Sequence, residues 1–161
     1  MAIHDDRSFV WEVNNQPTVR ESAVTSEPIG WSDHVEWYDQ QLTRSDRVLL
    51  IGSWNATPVG VVRFDIDGDG RDAIITVAML ERYTGRGLGV ALIRAASDGL
   101  LAANAVSRIV AYVRPMNNRS RRAFERAGFV PRGRTSNRGV ELIAFQRCKP
   151  TASKCAAPSS S

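Results

Sequence analysis

Between Ala73 and Ala103 the chain changes its period. Ala73–Met79 (A-I-I-T-V-A-M) reads as a strand, whereas from Leu88 the apolar residues Leu88, Ala91, Leu92, Ala95 and Gly99 recur at helical spacing through about Ala103. Three glycines, Gly85, Gly87 and Gly89, crowd the junction. The first N–H groups of a helix are unpaired and point outward, with the positive end of the helix dipole behind them. Glycines let a phosphate approach those amides closely, so this junction has the chemistry of a pyrophosphate cradle. It is neither a G-x-x-x-x-G-K-[ST] loop nor a G-x-G-x-x-G turn, because Gly85-Arg86-Gly87-Leu88-Gly89 spaces its glycines two apart. A plain helix-capping loop is the competing reading of the segment taken alone.

The flanks extend this unit into an α/β domain. Phe9, Val10 and Val13 have helical spacing, which Asn14-Asn15-Gln16-Pro17 stops. Thr18 to Ile29 is polar, a loop with a short helix. Ser32 is the expected N-cap of a helix holding His34, Val35, Trp37, Tyr38 and Leu42. Arg47–Ser53 and Val59–Asp65 form a hairpin about the turn Asn55–Pro58, and Asp67-Gly68-Asp69-Gly70 turns into the Ala73 strand. That acidic turn lacks the Glu a calcium loop needs at its twelfth position, where Thr76 stands. After the central helix come a strand at Arg108–Val113, a helix from Asn118 to Arg126 closed by Gly128, and two weaker strands, Phe129–Arg132 and Val140–Gln146. At 161 residues one domain is expected. Residues 1–147 are assigned to it, and 148–161, rich in Ala, Ser and Pro, to a disordered tail.

The charge balance, 21 Lys+Arg against 17 Asp+Glu, gives +4, with the basic excess mostly beyond Tyr112. A basic half suits an anionic ligand. Nucleic acid fits less well than a phosphorylated small molecule, since no aromatic stacking partners separate the arginines. No apolar run approaches the length of a membrane span, and the acidic Asp5-Asp6 start does not read as a signal peptide. Cys148 and Cys155 frame neither a metal site nor a disulfide scaffold. A cytoplasmic enzyme with no membrane or nucleic-acid partner is the expectation.

A second segment, Asn117-Asn118-Arg119-Ser120-Arg121-Arg122-Ala123-Phe124-Glu125-Arg126-Ala127-Gly128-Phe129, sharpens the reading. The turn Thr84-x-x-Gly87-x-Gly89, followed by Asn117-x-x-Ser120, Phe124 and Gly128-Phe129, resembles the Gcn5-related N-acetyltransferase (GNAT) superfamily. The resemblance spans roughly Val48 to Gln146. It implies a single-domain GNAT-like fold, a mixed central sheet with helices on both faces and a first strand shortened or absent, since only Met1-Ala2-Ile3 precede the first helix. It implies acetyl-CoA as co-substrate and a primary amine as acceptor. Val77, Ala78 and Met79 would meet the pantetheine arm and polarise the thioester carbonyl. Amides from Gly85 through Arg86, Gly87, Leu88 and Gly89 to Val90 would hold the pyrophosphate, Asn117 would bind the cofactor, and Phe124 would lie beside the sulfur. Arg119, Arg121 and Arg122 would face the adenosine phosphates or simply solvent.

Three positions depart from the family pattern. Thr84 stands in the usual Gln/Arg place, Phe124 in that of a proton-donating tyrosine, and Tyr112 in that of a catalytic glutamate of N-terminal-acetylating relatives. The remaining candidates for proton transfer are Tyr112 and His34. In the first forty residues Trp11, Asn14, Asn15, Pro17, Val19, Arg20, His34 and Trp37 resemble a W-x-x-N-x-P-x-V-R…H-x-x-W pattern. It is found in acetyltransferases of nucleotide-linked amino sugars and, less fully, of ribosomal proteins. Trp11, Asn14, Arg20 and Trp37 are therefore the expected acceptor contacts. A nucleotide-linked amino sugar is the leading acceptor; the alternatives are a protein N-terminus and a non-catalytic acyl-CoA-binding module. A homodimer is compatible with any of these.

Overall fold

The computed structural model describes residues 1–150 apart from 24 and 104. Six strands form one sheet in the order β1-β2-β3-β4-β6-β5. They are β1 (Arg47–Trp54), β2 (Thr57–Ile66), β3 (Asp72–Met79), β4 (Arg108–Val113), β5 (Val130–Asn137) and β6 (Val140–Cys148). All neighbours are antiparallel except β3 and β4. Asn55 and Ala56 join β1 to β2 at φ 50° and 62°, the paired left-handed conformations that match the twist of a two-residue hairpin.

Helices cover both faces, as the resemblance implied. α1 (Arg7–Asn14) and α3 (Trp31–Thr43) lie over β1–β3. There Val10, Val13 and Tyr38 close a core with Leu49, Val61 and Leu80. α4 (Leu88–Ala102) and α5 (Asn118–Arg126) lie on the other face, where Ile93, Ala96 and Phe124 meet Val62, Phe64, Ile75, Ala111 and Phe145. Adjacent residues such as Val61 and Val62 serve opposite cores, the period of two along a strand buried on both sides. α2 (Pro17–Ser22) is a short helix with Pro at its start.

Four boundaries differ from the sequence expectations. α3 begins at Trp31 and its N-cap is Gly30, whose carbonyl accepts the His34 N–H at 3.0 Å; Ser32 lies inside the helix. β5 runs to Asn137 with every residue exposed, so as an edge strand it shows no alternation from which its length could be read. β6 continues to Cys148, which belongs to the sheet and not to the tail. Cys155 and the expected tail from 151 to 161 lie outside the described residues. Of the first strand a single bond remains, from the Ala2 N–H to the Leu49 carbonyl at 2.9 Å.

Candidate active site

The parallel pair β3–β4 stays together only at Asp72–Ile74 and Arg108–Val110. The Arg108 guanidinium is bonded to the Asp72 carboxylate at that end. Beyond it Ile75–Met79 remains paired with β2, and Ala111–Val113 with β6, so the sheet opens into a gap. The orientation of the backbone at the gap follows from one bond. Leu80 donates its N–H to the Val59 carbonyl at 2.9 Å, which marks a hydrogen-bonded pair with β2. Hydrogen-bonded and free pairs alternate along an antiparallel ladder. Met79 (opposite Gly60) and Val77 (opposite Val62) therefore turn their N–H and C=O groups away from β2, into the gap.

The glycine-rich turn stands at the mouth of this gap. Gly85 and Gly87 both adopt φ 77°, and no atom lies within 4 Å of where a Cβ would stand on either. Gly87 is the N-cap of α4. A Cβ on Gly89 would stand 3.2 Å from the Met79 sulfur, so the helix start and the strand end are in close contact. Open space before the amides at the start of α4, beside strand backbone that no neighbouring strand pairs, fits an extended thioester carrier with a pyrophosphate. Val77, Met79 and the segment from Gly85 to Val90 are thus brought together; Ala78 turns its backbone to β2 instead. Arg86 lies on the turn, its guanidinium 6.0 Å from the Tyr83 ring centre.

Asn117 and Phe124 take roles the resemblance did not imply. Asn117 caps α5, its Oδ1 accepting the Ser120 N–H at 3.1 Å, which leaves only its amide nitrogen, 3.5 Å from the Ser22 hydroxyl, for other contacts. Phe124 is 6% exposed and its ring is held by Phe129 and Phe145, with centroids 5.1 and 6.3 Å away. It is a core side chain as well as one without a proton to give.

Of the two candidates for proton transfer, His34 is buried away from the gap, and Tyr112 is exposed. His34 is 1% exposed, its Nε2 bonded to the Arg7 carbonyl at 2.8 Å and its Nδ1 buried without a partner. Burial pushes its pKa below the ordinary 6.5; the bond to the Arg7 carbonyl opposes this and the Arg7 charge adds to it. A ring sealed between Trp31, Trp37 and Tyr38 cannot exchange a proton with a substrate in the gap. Tyr112 is 45% exposed. Its neighbours Ala111 and Val113 face α4 and α5, so Tyr112 points to the opposite side of the sheet.

That side also carries the expected acceptor contacts. Trp11 donates its indole N–H to the Ile29 carbonyl at 2.8 Å, and Asn15 grips the same residue through both its N–H and its carbonyl. Trp11 is therefore a clamp on the loop before α3. Arg20 is bonded to the Thr25 carbonyl. Asn14 and Trp37 line a cavity of about 30 Å³ with Arg63, Thr76 and Ala78, room for little more than a water. Arg63 was not legible beforehand. It lies between strand residues facing a core, and only the fold shows its guanidinium 6.0 Å from the Trp37 ring centre. Gln16 was missed as well: its Nε2 donates to the Met79 carbonyl at 2.8 Å, and its Oε1 accepts the Glu81 N–H at 2.6 Å. A larger hollow, about 640 Å³ between the end of α4 and the start of β5, opens at the other end of the sheet and contains none of these residues.

The family model described as the acetyltransferase (GNAT) family matches residues 4–129. The chain belongs to this family. It is an acetyltransferase with acetyl-CoA as co-substrate. Among solved structures it is similar to aminoglycoside acetyltransferase AAC(6')-Ib in complex with coenzyme A, at 22% identity, TM-score 0.81 and 92% coverage of each chain. It is also similar to spermidine N-acetyltransferase from Vibrio cholerae in complex with CoA and spermine, at 18% identity, TM-score 0.79, and 91% and 92% coverage. A third is the microcin C7 self-immunity acetyltransferase MccE in complex with acetyl-CoA and AMP, at 19% identity, TM-score 0.76, and 90% and 88% coverage. At these identities the likeness is one of fold. No curated protein matches the chain.

Proposed function

We propose that this acetyltransferase acts on a primary amine of a small molecule that also carries an anionic group, with a nucleotide-linked amino sugar as the favoured acceptor. The observation that supports this reading is the charge of the face on which Tyr112 opens. Asp65 is shared between Arg47 and Arg63, at 3.1 Å from each, so two guanidinium groups meet one carboxylate. Arg20 and Arg114 are bonded to the carbonyls of Thr25 and Ala23, not to carboxylates. Such a surface repels a polycation and holds a phosphate. Of the similar structures reported above, the one bound to AMP is in keeping with this, and the one bound to spermine is not.

In this reading acetyl-CoA supplies the activated carbonyl and a thiolate leaving group. The amides from Gly85 to Val90 hold its pyrophosphate, with the Asn117 amide nitrogen beside it. The Met79 N–H is aimed at the carbonyl oxygen, where charge develops during attack, and the gap fixes the line of approach. Thiolate needs little protonation to leave, which is compatible with Phe124. The Tyr112 hydroxyl orders the water that takes the proton of the amine. Asn14, Trp37 and Arg63 border the acceptor. We further take the protein to be cytoplasmic and able to pair as a homodimer, which fractionation and sedimentation would test.

The experiment is thiol release from acetyl-CoA with a UDP-linked amino sugar, spermine, kanamycin and a peptide with a free N-terminus. We expect kcat/KM for the sugar nucleotide to exceed that for either polycation by about tenfold or more, equivalent to about 1.4 kcal/mol. Arg63→Ala should erase most of that preference. Faster turnover of spermine or kanamycin would overturn the reading, and faster turnover of the peptide would replace it with N-terminal acetylation.

A further inference from the structure

Gln16 sits between α1 and α2 and is the N-cap of α2 by its backbone, yet its side chain does not cap that helix. It reaches instead to the far end of β3. There it satisfies one acceptor and one donor on either side of Leu80, at the place where the chain leaves the sheet. The Met79 carbonyl has lost its strand partner because β4 has diverged, and the Glu81 N–H begins a short helical turn (Glu81–Tyr83) that leads to Gly85. The Gln16 amide also donates to the Val13 carbonyl at 3.2 Å, which fixes the side chain from behind.

The chemical consequence concerns polarity. With its carbonyl engaged by Gln16, Met79 offers the gap its N–H alone, a donor for a developing oxyanion. We propose that Gln16 is a positioning residue for acetyl transfer, which holds the Met79–Leu80 peptide with its carbonyl occupied, so that the strand end is fixed and the N–H of Met79 is the group that faces the thioester. Gln16 acts through Met79 and touches no reacting atom. It also ties Met79 to α2, whose other end meets the opposite wall of the gap: Arg114 donates to the Ala23 carbonyl at 2.8 Å, and Asn117 approaches Ser22. A helix of that length spans about 9 Å, so α2 bridges the gap, fastened at one end by Gln16. The inference concerns the donor side of the reaction and stands whatever the acceptor is.

The test is isosteric. Gln16→Glu can still accept from Glu81, but its ionised carboxylate cannot donate to Met79; protonated, it regains a donor in the same place. In ¹⁵N-labelled wild-type protein, acetyl-CoA should shift the Met79 amide downfield relative to CoA, which lacks the thioester carbonyl. In Gln16→Glu near neutral pH this acetyl-specific shift should shrink by about twofold or more, then recover as the pH falls toward the carboxylic acid range of about 4–5. Turnover of a UDP-linked amino sugar, measured as the ratio of variant to wild type, should follow the same course in kcat with little change in the KM for acetyl-CoA. A merely structural role would lower Tm without a pH-dependent return of the shift. Gln16→Met, which cannot donate at any pH, serves if the glutamate variant fails to fold; it should lose the shift permanently. An unchanged acetyl-specific shift in Gln16→Glu at neutral pH, or in Gln16→Met, would overturn the proposal.

Discussion

Two glycines of equal backbone conformation separate the proposed phosphate cradle from ordinary folding cost. Gly87, before α4, and Gly139, in the β5–β6 turn, have φ 77° and 78°, and neither would bring a Cβ within 4 Å of another atom. Alanine at either position therefore costs the left-handed strain alone, about 1–2 kcal/mol. In a chain of this size that is about 2–4 °C of Tm per kcal/mol, so both variants should melt about 2–8 °C below wild type. They part when ligand is added. Acetyl-CoA at 100 times its dissociation constant stabilises the wild type by about 2.7 kcal/mol, and Gly139→Ala should retain this in full. In Gly87→Ala the new methyl occupies the open space before the amides from Gly87 to Val90. We expect affinity to fall by about tenfold or more, which removes about 1.4 kcal/mol of the ligand shift at the same concentration. The assay is thermal melting of the three proteins with and without acetyl-CoA, with titration calorimetry for the affinity. Equal ligand shifts in the two variants would refute the reasoning, since the pyrophosphate would then have to lie elsewhere.

Protonation of His34 should matter to folding and not to rate. Its pKa is lowered in the folded state, so the unfolded chain takes up a proton that the folded one refuses. Its contribution is therefore complete above about pH 6.5 and lost as the pH falls below it. His34→Gln should flatten that part of the Tm–pH curve; loss of the acidic limb of the kcat/KM profile in this variant would instead restore His34 as a base. Gly60→Ala places a Cβ 2.8 Å from the Ala78 carbonyl oxygen and 3.0 Å from Met79 Cγ, whereas Gly52→Ala meets the end of the Leu92 side chain at 2.4 Å. Both should cost about 1–3 kcal/mol in melting experiments, but only Gly60→Ala should also lower kcat, because it displaces the strand end at the gap. Tyr112→Phe should leave stability within about 0.5 kcal/mol and lower kcat/KM by about tenfold or more; identical pH–rate profiles would remove Tyr112 from the chemistry.

The parts of the fold written in local patterns were legible in the sequence. The bounds of β4 and α5 follow directly from Arg108–Val113 and from Asn118–Arg126 before Gly128, because a buried strand and a capped helix each leave a contiguous signal. The glycine turn before α4 was legible for the same reason: glycine spacing and helix start lie within a few residues. What was not legible depends on partners remote in the chain. His34 is a core residue because α3 packs its polar-looking side against α1, and nothing near it in sequence announces the Arg7 carbonyl. Gln16 lies next to a helix-stopping proline and read as punctuation, although its partners stand at Met79 and Glu81. Arg63 hid within the β2 hydrophobic run. Phe124 was assigned by motif to the sulfur, whereas two aromatic neighbours hold it in the core.

The short pairing between β3 and β4 gives the molecule a seam. Two antiparallel half-sheets, β1–β3 and β4–β6–β5, are joined across it by the pairing of Asp72–Ile74 with Arg108–Val110 and by the Arg108–Asp72 ion pair. Further along, the junction consists of helix packing and the α2 bridge. Backbone left open there needs a partner, and in the arrangement proposed above the pantetheine amides of acetyl-CoA would supply it. Bound in this way, acetyl-CoA would act as mortar, completing a sheet that the chain alone leaves unfinished. Amides lining the seam should exchange hydrogen fastest of any in the strands, and should slow together once the cofactor is added.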